Sequence, residues 1–579
     1  MERREIPPQP DCPTPQDRRR LTAYALQEQG RPGDLPAIET LTAPAEDIGA
    51  IAPPGSLQGV RLAVIGAGLA GLAAAFELRK TGADVTVLEA DEQRVGGRVY
   101  TYRFGRQPDL YGELGAMRIP TSHNAVWHYI DLLKLRTRPF IQNNPNAFLY
   151  LQGTRVRNDP TGRGVMEHIY PKYPLTDAER ATPWQELLFH GQNAPLFAAS
   201  AAERAELLQV LPGYGPAVTD WDATDNRRML DRQGLSPGAI DMLANLAPLQ
   251  GQNLYASYVD IAQVNYAANL AFVYEIVGGM STLPNALYRS VVGDGGGEYG
   301  DIPVRQLGPA QVHMGAWVTG IGRDGNGRVV LTILTRAGAV RQSFDGVVCA
   351  IPFSTLRTVE IDPLFSGGKM QAIREVNYIP AQKTLLRCNR RFWEEGGPDE
   401  RIIGGGSYTD LPITSVWYPS DHASLCRQQV ECPCGAMPYH RLEAPANQRE
   451  LAAQPGVLIA SYGYNLDATR LANLTPPLRF DEVKREVERV HGLPPGGLDN
   501  IAVGMKTMDW NTNLWSRGAL PFFTPQQKQL FSWVMAQPEY DDRVVFAGDH
   551  ISASHRWMQG ALQSGMQAAN QIARTVRRR

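Results

Sequence analysis

The chain lacks any apolar run approaching the length of a membrane span. It also lacks net charge. Its 57 lysines and arginines stand against 59 acidic residues, leaving −2, which argues against nucleic acid or a membrane surface as the main partner. Cysteine is scarce. The six residues, Cys12, Cys349, Cys388, Cys426, Cys432 and Cys434, show no disulfide spacing. Cys432 and Cys434 with Cys426 and His440 form a candidate metal cluster. A CxC without a second matching pair is weak, however, and a loop with free thiols is the favoured reading, so no metal is expected. The opening "MERREIPPQPDCPTPQDRRR" has no apolar signal core, and Arg3-Arg4 leads into prolines. A cytoplasmic location is therefore expected, with secretion of a precursor form as the other reading. Finally, no histidine lies between His190 and His313.

What is present is ordinary globular material, 43% apolar and 20% charged, in a chain of 579 residues. That length predicts two or three domains. The richest stretch is "VIGAGLAGLAAAFELRKTGADVTVLEADEQRVGGRV", from Val64 to Val99. An apolar run of strand length precedes Gly66-Ala67-Gly68-Leu69-Ala70-Gly71. A helical run without Gly or Pro follows, and a second apolar run ends in Glu89. In such a unit Gly66 makes the tight turn, Gly68 lets the backbone approach a pyrophosphate, and Gly71 lets the helix pack on the strand. The helix N-terminus offers free N–H groups to phosphate. Glu89, eighteen residues after Gly71, sits where a carboxylate accepts from a ribose diol. GxGxxG alone fits many tight turns; flanking strands and the acid make it a dinucleotide site. Gly96-Gly97-Arg98 then returns the chain beneath the pyrophosphate, with Arg98 to neutralise phosphate charge. The whole stretch resembles the FAD-binding fingerprint of the flavin amine oxidase superfamily, and the two glycine clusters are read as gripping one FAD, bound non-covalently.

Along the rest of the chain the pattern predicts an α/β fold: a Rossmann-like FAD-binding domain with a mixed-sheet (α+β) substrate domain and a helical domain. Residues 1–58 read as a polar N-terminal arm with a short helix near Arg18 to Gln29. The FAD-binding domain is discontinuous, over 59–99, 276–377 and 511–579. The substrate domain takes 100–165 and 378–510, and the helical domain 166–275. "IVGGMSTLPNAL" reads as a glycine turn and helix capped by Ser281. "VTGIGRDGNGRVVLTILTRAG" reads as a hairpin.

Two further stretches make the likeness specific. "ELGAMRIP" at 113–120 and "RVVFAGDHISASHRWMQGALQSGMQAA" near the C-terminus resemble motifs of L-amino-acid oxidases, the amino-acid branch of that superfamily. Backbone groups of Gly115, Ala116 and Met117 are suited to approach a flavin ring. The resemblance gives Arg118 the substrate α-carboxylate, which an Arg fork binds bidentately. It gives Tyr462 the same carboxylate, with Tyr464, on the same side of the strand, as the alternative. Lys383, ten residues before Trp393, matches a catalytic lysine near flavin N5; otherwise it is a snorkelling surface lysine. Trp510 and Trp557 match aromatic walls of the flavin and substrate pockets. Val318 matches a backbone contact to adenine. Gly548 and Asp549 match the ribityl and pyrophosphate region, where relatives often have Glu. Ala70, Ala90, Gly97 and Met558 complete the expected flavin contacts. Arg556 stands where relatives often have Gly and narrows the substrate pocket. A histidine considered as a base in some relatives falls near Gln263, so no essential base is expected there.

The implied reaction is FAD-dependent oxidative deamination of an L-amino acid by hydride transfer from Cα to flavin N5. Its partners are the amino acid and dioxygen; its products are a 2-oxo acid, ammonia and hydrogen peroxide. A homodimer or higher homo-oligomer is expected. The alternatives are an L-amino-acid 2-monooxygenase, a monoamine or polyamine oxidase, and a non-catalytic flavoprotein.

Overall fold

Strand Arg61–Ile65 is apolar at every position after the first, so both its faces must be covered. In the computed structural model, which describes residues 6–107, 109–247, 251–425, 439, 442 and 445–578, it is central to a five-stranded parallel sheet. The order is Ala310–Met314, Asp84–Glu89, Arg61–Ile65, Gly346–Cys349, Val544–Phe546. Leu62 pairs with Val85 on one side and Gly346 on the other. Alternation sorts the side chains. Leu62 and Val64 enter the core beneath helices Leu69–Lys80, Thr282–Val292 and Met558–Arg577. Ala63 and Ile65 enter the opposite core, shared with Val318, Ile321 and Leu331. That face is covered by a four-stranded sheet containing the expected hairpin, Trp317–Arg323 against Val329–Thr335. The arrangement is the α/β class expected from the sequence.

A seven-stranded mixed sheet forms the second layer. Its order is Ala502–Asp509, Ala381–Cys388, Gly456–Tyr464, Ser415–Trp417, Gly406–Thr409, Phe148–Leu151, Thr154–Arg157. Helix Pro476–His491 packs Val483, Val487 and Val490 under one face. Leu385, Val457 and Ile459 face the other core, which takes Leu230, Met242 and Leu243 from the helical segment. That segment includes Trp184–Ala198, Pro237–Leu246 and Tyr258–Tyr266. After it, Val273–Ile276 is a strand, paired with Thr137–Phe140 and Ile119–Pro120.

Two local expectations change. The N-terminal stretch is built into the body. Helix Pro15–Glu28 starts at a Thr14–Asp17 capping box, and Leu21, Leu26, Ile38 and Ile48 lie in the core of the parallel sheet. Arg18 makes a bidentate pair with Asp131 and lies over Trp127. Ser281 stands at the N-cap of its helix, as expected, but its side chain makes no capping bond. Its hydroxyl accepts instead from the Thr101 N–H (2.8 Å), because the turn at 278–281 packs on strand Thr101–Arg103. Cys426, Cys432, Cys434 and His440 lie outside the described residues. Among the described residues, no helix is long and apolar enough to cross a membrane.

Candidate active site

The first glycine cluster leads from strand Arg61–Ile65 into helix Leu69–Lys80. Gly66 has φ +96°, a region that favours glycine. A Cβ on Gly71 would stand 1.9 Å from the Gly66 carbonyl oxygen, so the helix approaches the turn this closely only because residue 71 is glycine. Gly68 differs: it lines the cavity, and nothing lies within 4 Å of where its Cβ would sit. It is the N-cap and offers no side chain, so the first-turn N–H groups lack a side-chain cap. Open space before a bare helix N-terminus fits a pyrophosphate.

The second cluster meets the first directly. Gly68 and Gly96 form a parallel bridge, and the Gly96 N–H donates to the Ala67 carbonyl (2.8 Å). Glu89 fastens the same turn, accepting from the N–H of Ala67 (2.7 Å) and of Asp91 (2.8 Å). Burial raises its pKa against those two bonds. A carboxylate has about four acceptor sites, so Glu89, which lines the cavity, retains capacity for hydroxyl donors.

Arg98, expected to neutralise phosphate charge, lines the cavity and is also tied to an acid. Its guanidinium forms a bidentate pair with Asp549 and also donates to the Ala519 carbonyl. The pair holds Asp549 below the usual carboxylate range against its burial. Arg98 therefore reaches the cavity with its charge largely balanced, and it ties the N-terminal and C-terminal pieces of the sheet domain together.

One continuous cavity runs from the glycine turn to Lys383. It is lined by Gly66, Gly68, Ala70, Glu89, Ala90, Gly97, Arg98, Gly115, Ala116, Met117, Val318, Trp510, Gly548, Asp549, Trp557 and Met558, and at its far end by Arg118, Lys383, Tyr462 and Arg556. Of the residues selected from sequence only Gly71 is absent from the lining; it acts by packing. Gly115 shows why a side chain is excluded there: its Cβ would meet the Arg98 carbonyl at 2.0 Å. Glycine backbone at one end and flat walls from Trp510 and Trp557 along the rest suit a long, partly planar, anionic group such as a flavin dinucleotide. The Trp557 Nε1 is buried without a protein partner.

At the far end, Lys383 lies mid-sheet, opposite Tyr462 on one neighbour and Met508 on the other. It is 2% exposed, so it does not snorkel. Its Nζ donates to the Gly115 carbonyl (2.7 Å), approaches Met117 Sδ (3.2 Å) and stands 4.3 Å from the Tyr462 ring centroid. Burial pushes its pKa down to about 7, against the pull of Glu113 and with help from Arg118. Burial also pushes Glu113 up to about 7, although its carboxylate accepts from the Met280 N–H and the Thr101 hydroxyl. Arg118 donates to Gln142 Oε1 (2.6 Å) and stacks 5.0 Å from the Trp417 ring. Among the described residues no carboxylate pairs with it. The hydroxyls of Tyr462 and Tyr464 are 2.5 Å apart. Both tyrosines line the cavity and feel the charges of Arg118 and Arg556, so the strand brings in the two as a pair.

Sequence reasoning passed over Glu113, whose burial beside Lys383 has no signature along the chain. It also missed Gln192, Asn253 and Ile261, which bring the helical segment to the cavity wall. Gln263 does not line the cavity, while Ile261, Val264 and Asn265 do. Among the described residues one acid-histidine group, Glu394, Asp421 and His422, has metal-ligand spacing. Arg391 already pairs with both acids.

The fold and this cavity are those of a flavin enzyme. The chain belongs to the flavin-containing amine oxidoreductases, whose family pattern matches residues 69–573. It is 29% identical over 523 residues to an L-amino-acid oxidase of Sistrurus catenatus edwardsii, covering 89% of this chain and 87% of that one. It is 30% identical over 521 residues to an L-amino-acid oxidase of Gloydius halys, covering 88% of each. Among solved structures it resembles a putrescine oxidase bound to putrescine (TM-score 0.62, 18% identity, 88% of this chain and 98% of that one). Cyclohexylamine oxidase from Brevibacterium oxydans IH-35A is similar at TM-score 0.60 and 18% identity, covering 89% of this chain and 98% of that one. These two likenesses concern the fold.

Proposed function

We propose that the chain is an FAD-dependent L-amino-acid oxidase, forming a 2-oxo acid, ammonia and hydrogen peroxide. The observation that carries this reading is Arg118: a guanidinium without a carboxylate partner among the described residues, in the same cavity as Lys383 and the glycine turn. An amine without a carboxylate would leave that charge unanswered, which disfavours a monoamine oxidase.

A flavin held by the glycine turn, Glu89 and the Gly115–Met117 backbone would supply the acceptor for the Cα hydride and the route for its electrons to dioxygen. The protein orients and dries the site. Arg118 takes the α-carboxylate as a fork, and the tyrosine pair supplies a hydroxyl donor beside it. Trp510 and Trp557 exclude water. Lys383 holds a proton at Nζ next to the Gly115 backbone and favours negative charge forming nearby. Peroxide and 2-oxo acid as products distinguish this activity from a 2-monooxygenase, which would give an amide.

Two expected results follow from this site. Lys383→Met should leave anaerobic reduction by an L-amino acid comparatively fast and slow reoxidation by dioxygen at least tenfold in stopped flow. Wild-type reoxidation should slow as pH rises through about 7, where the lysine loses its charge, and the variant should lose that dependence. Collapse of reduction with reoxidation untouched would place Lys383 in substrate chemistry instead. The second concerns attachment. No cysteine lines the cavity among the described residues, so acid precipitation should release the flavin into the supernatant. Yellow colour retained in the pellet would overturn this and point to His550, whose ring lines the cavity with neither nitrogen hydrogen-bonded and Nδ1 4.0 Å from Asp549 Oδ1.

A further inference from the structure

Arg556 adopts φ +62°, a conformation that glycine takes freely and an arginine takes only under constraint. Three contacts impose it. Its N–H donates to Asp549 Oδ2 (3.1 Å), its Nη2 donates to the Asp260 carbonyl, and its guanidinium lies 4.3 Å from the Phe522 ring centroid. Together they hold the guanidinium against the cavity end where Tyr462 and Tyr464 meet. The nearby Asp260 carboxylate is committed elsewhere. Its Oδ2 accepts from the Phe523 N–H (2.6 Å), and its Oδ1 lies 3.2 Å from His555 Nδ1. Asp260 thus offsets part of the charge without closing an ion pair on Arg556.

The cavity end therefore presents two guanidiniums, Arg118 and Arg556, which repel one another across the tyrosine pair. One α-carboxylate brings a single negative charge against these two positive ones. With a neutral side chain bound, the second guanidinium is shut away from water with its charge only partly offset by Asp260, which is costly. A second carboxylate on the same ligand removes that cost. Resting on the oxidase reading above, we infer that the substrate is an L-amino acid with a carboxylate side chain, spanning Arg118 with its α-carboxylate and Arg556 with the other. A strained arginine pinned by three contacts is the device that selects it.

The test is oxygen consumption by the flavin-loaded enzyme with L-glutamate and L-aspartate, each against its own amide and against L-leucine. The acids should exceed their amides at least tenfold in kcat/KM. Arg556→Gln should reduce that ratio at least tenfold, chiefly through KM of the acids. Glutarate should inhibit wild type at least tenfold more tightly than butyrate, which keeps the inference testable if the variant misfolds. An amide or L-leucine oxidised faster than the acids overturns the inference and leaves the oxidase reading standing. Equal losses for acid and amide in Arg556→Gln also overturn it, placing both arginines on one carboxylate. If no L-amino acid reduces the flavin, the oxidase reading falls and takes this inference with it.

Discussion

Arg118→Ala should bind flavin normally and scarcely turn over. A desolvated, charge-assisted clamp on a carboxylate is worth about 2–5 kcal/mol when one partner is removed. At about 1.4 kcal/mol per decade, kcat/KM should fall about 30-fold to several thousand-fold. The guanidinium touches Gln142 and Trp417, while the glycine turn lies at the other end of the cavity, so flavin content should be unchanged. Arg118→Lys should recover little, because a point charge cannot reproduce the planar fork. Stopped-flow reduction with an L-amino acid, alongside the visible spectrum, reads both effects. Unchanged reduction in Arg118→Ala would remove the carboxylate clamp from the site.

Gly71→Ala should cost the protein its flavin. The new Cβ would stand 1.9 Å from the Gly66 carbonyl and 3.2 Å from Val64 Cγ1. Backbone cannot yield as a side-chain tip can, so helix Leu69–Lys80 must move off its strand. Overpacking of this kind costs about 1–3 kcal/mol, occasionally more. The displaced helix also carries the first-turn N–H groups proposed to receive the pyrophosphate. Thermal melting should shift down, and flavin affinity should fall at least tenfold. Gly68→Ala separates the two effects. Its φ is −71° and its Cβ would meet no protein atom within 4 Å. The apoprotein should melt normally and still bind flavin weakly, since the methyl would point into the space the pyrophosphate needs. Equal melting and equal flavin affinity in Gly71→Ala would show that the turn tolerates the overlap, and the packing argument would be wrong.

These two sites were unequally legible. The glycine turn is local: strand, turn, helix and the acid at the end of the next strand lie within one short stretch, and each residue type has a steric or hydrogen-bonding reason. Even there, the direct bridge between Gly68 and Gly96 was not readable, since no rule of spacing says that two glycine clusters touch. Arg98 shows the same limit. Its carboxylate partner lies 451 residues away, so the ion pair that the fold adds to its place in the cavity wall was not readable. The N-terminal stretch looked polar because its apolar residues are few; only the packed structure shows Leu21, Leu26, Ile38 and Ile48 entering the core.

By itself the sequence determined the class of fold and pointed to the glycine turn that lines one part of the cavity, because φ, close backbone approach and helix-terminus chemistry are properties of neighbouring residues. Tertiary structure decided the substrate end. Arg118, Lys383, the tyrosine pair at 462 and 464, and Arg556 come from separate segments and meet only when the two large sheets and the helical segment close on one cavity. Charge acts through space, not along the chain. Whether Lys383 is a surface cation or a buried one with a lowered pKa, and whether Arg556 fills space or presents charge, depends on what stands across the cavity from it.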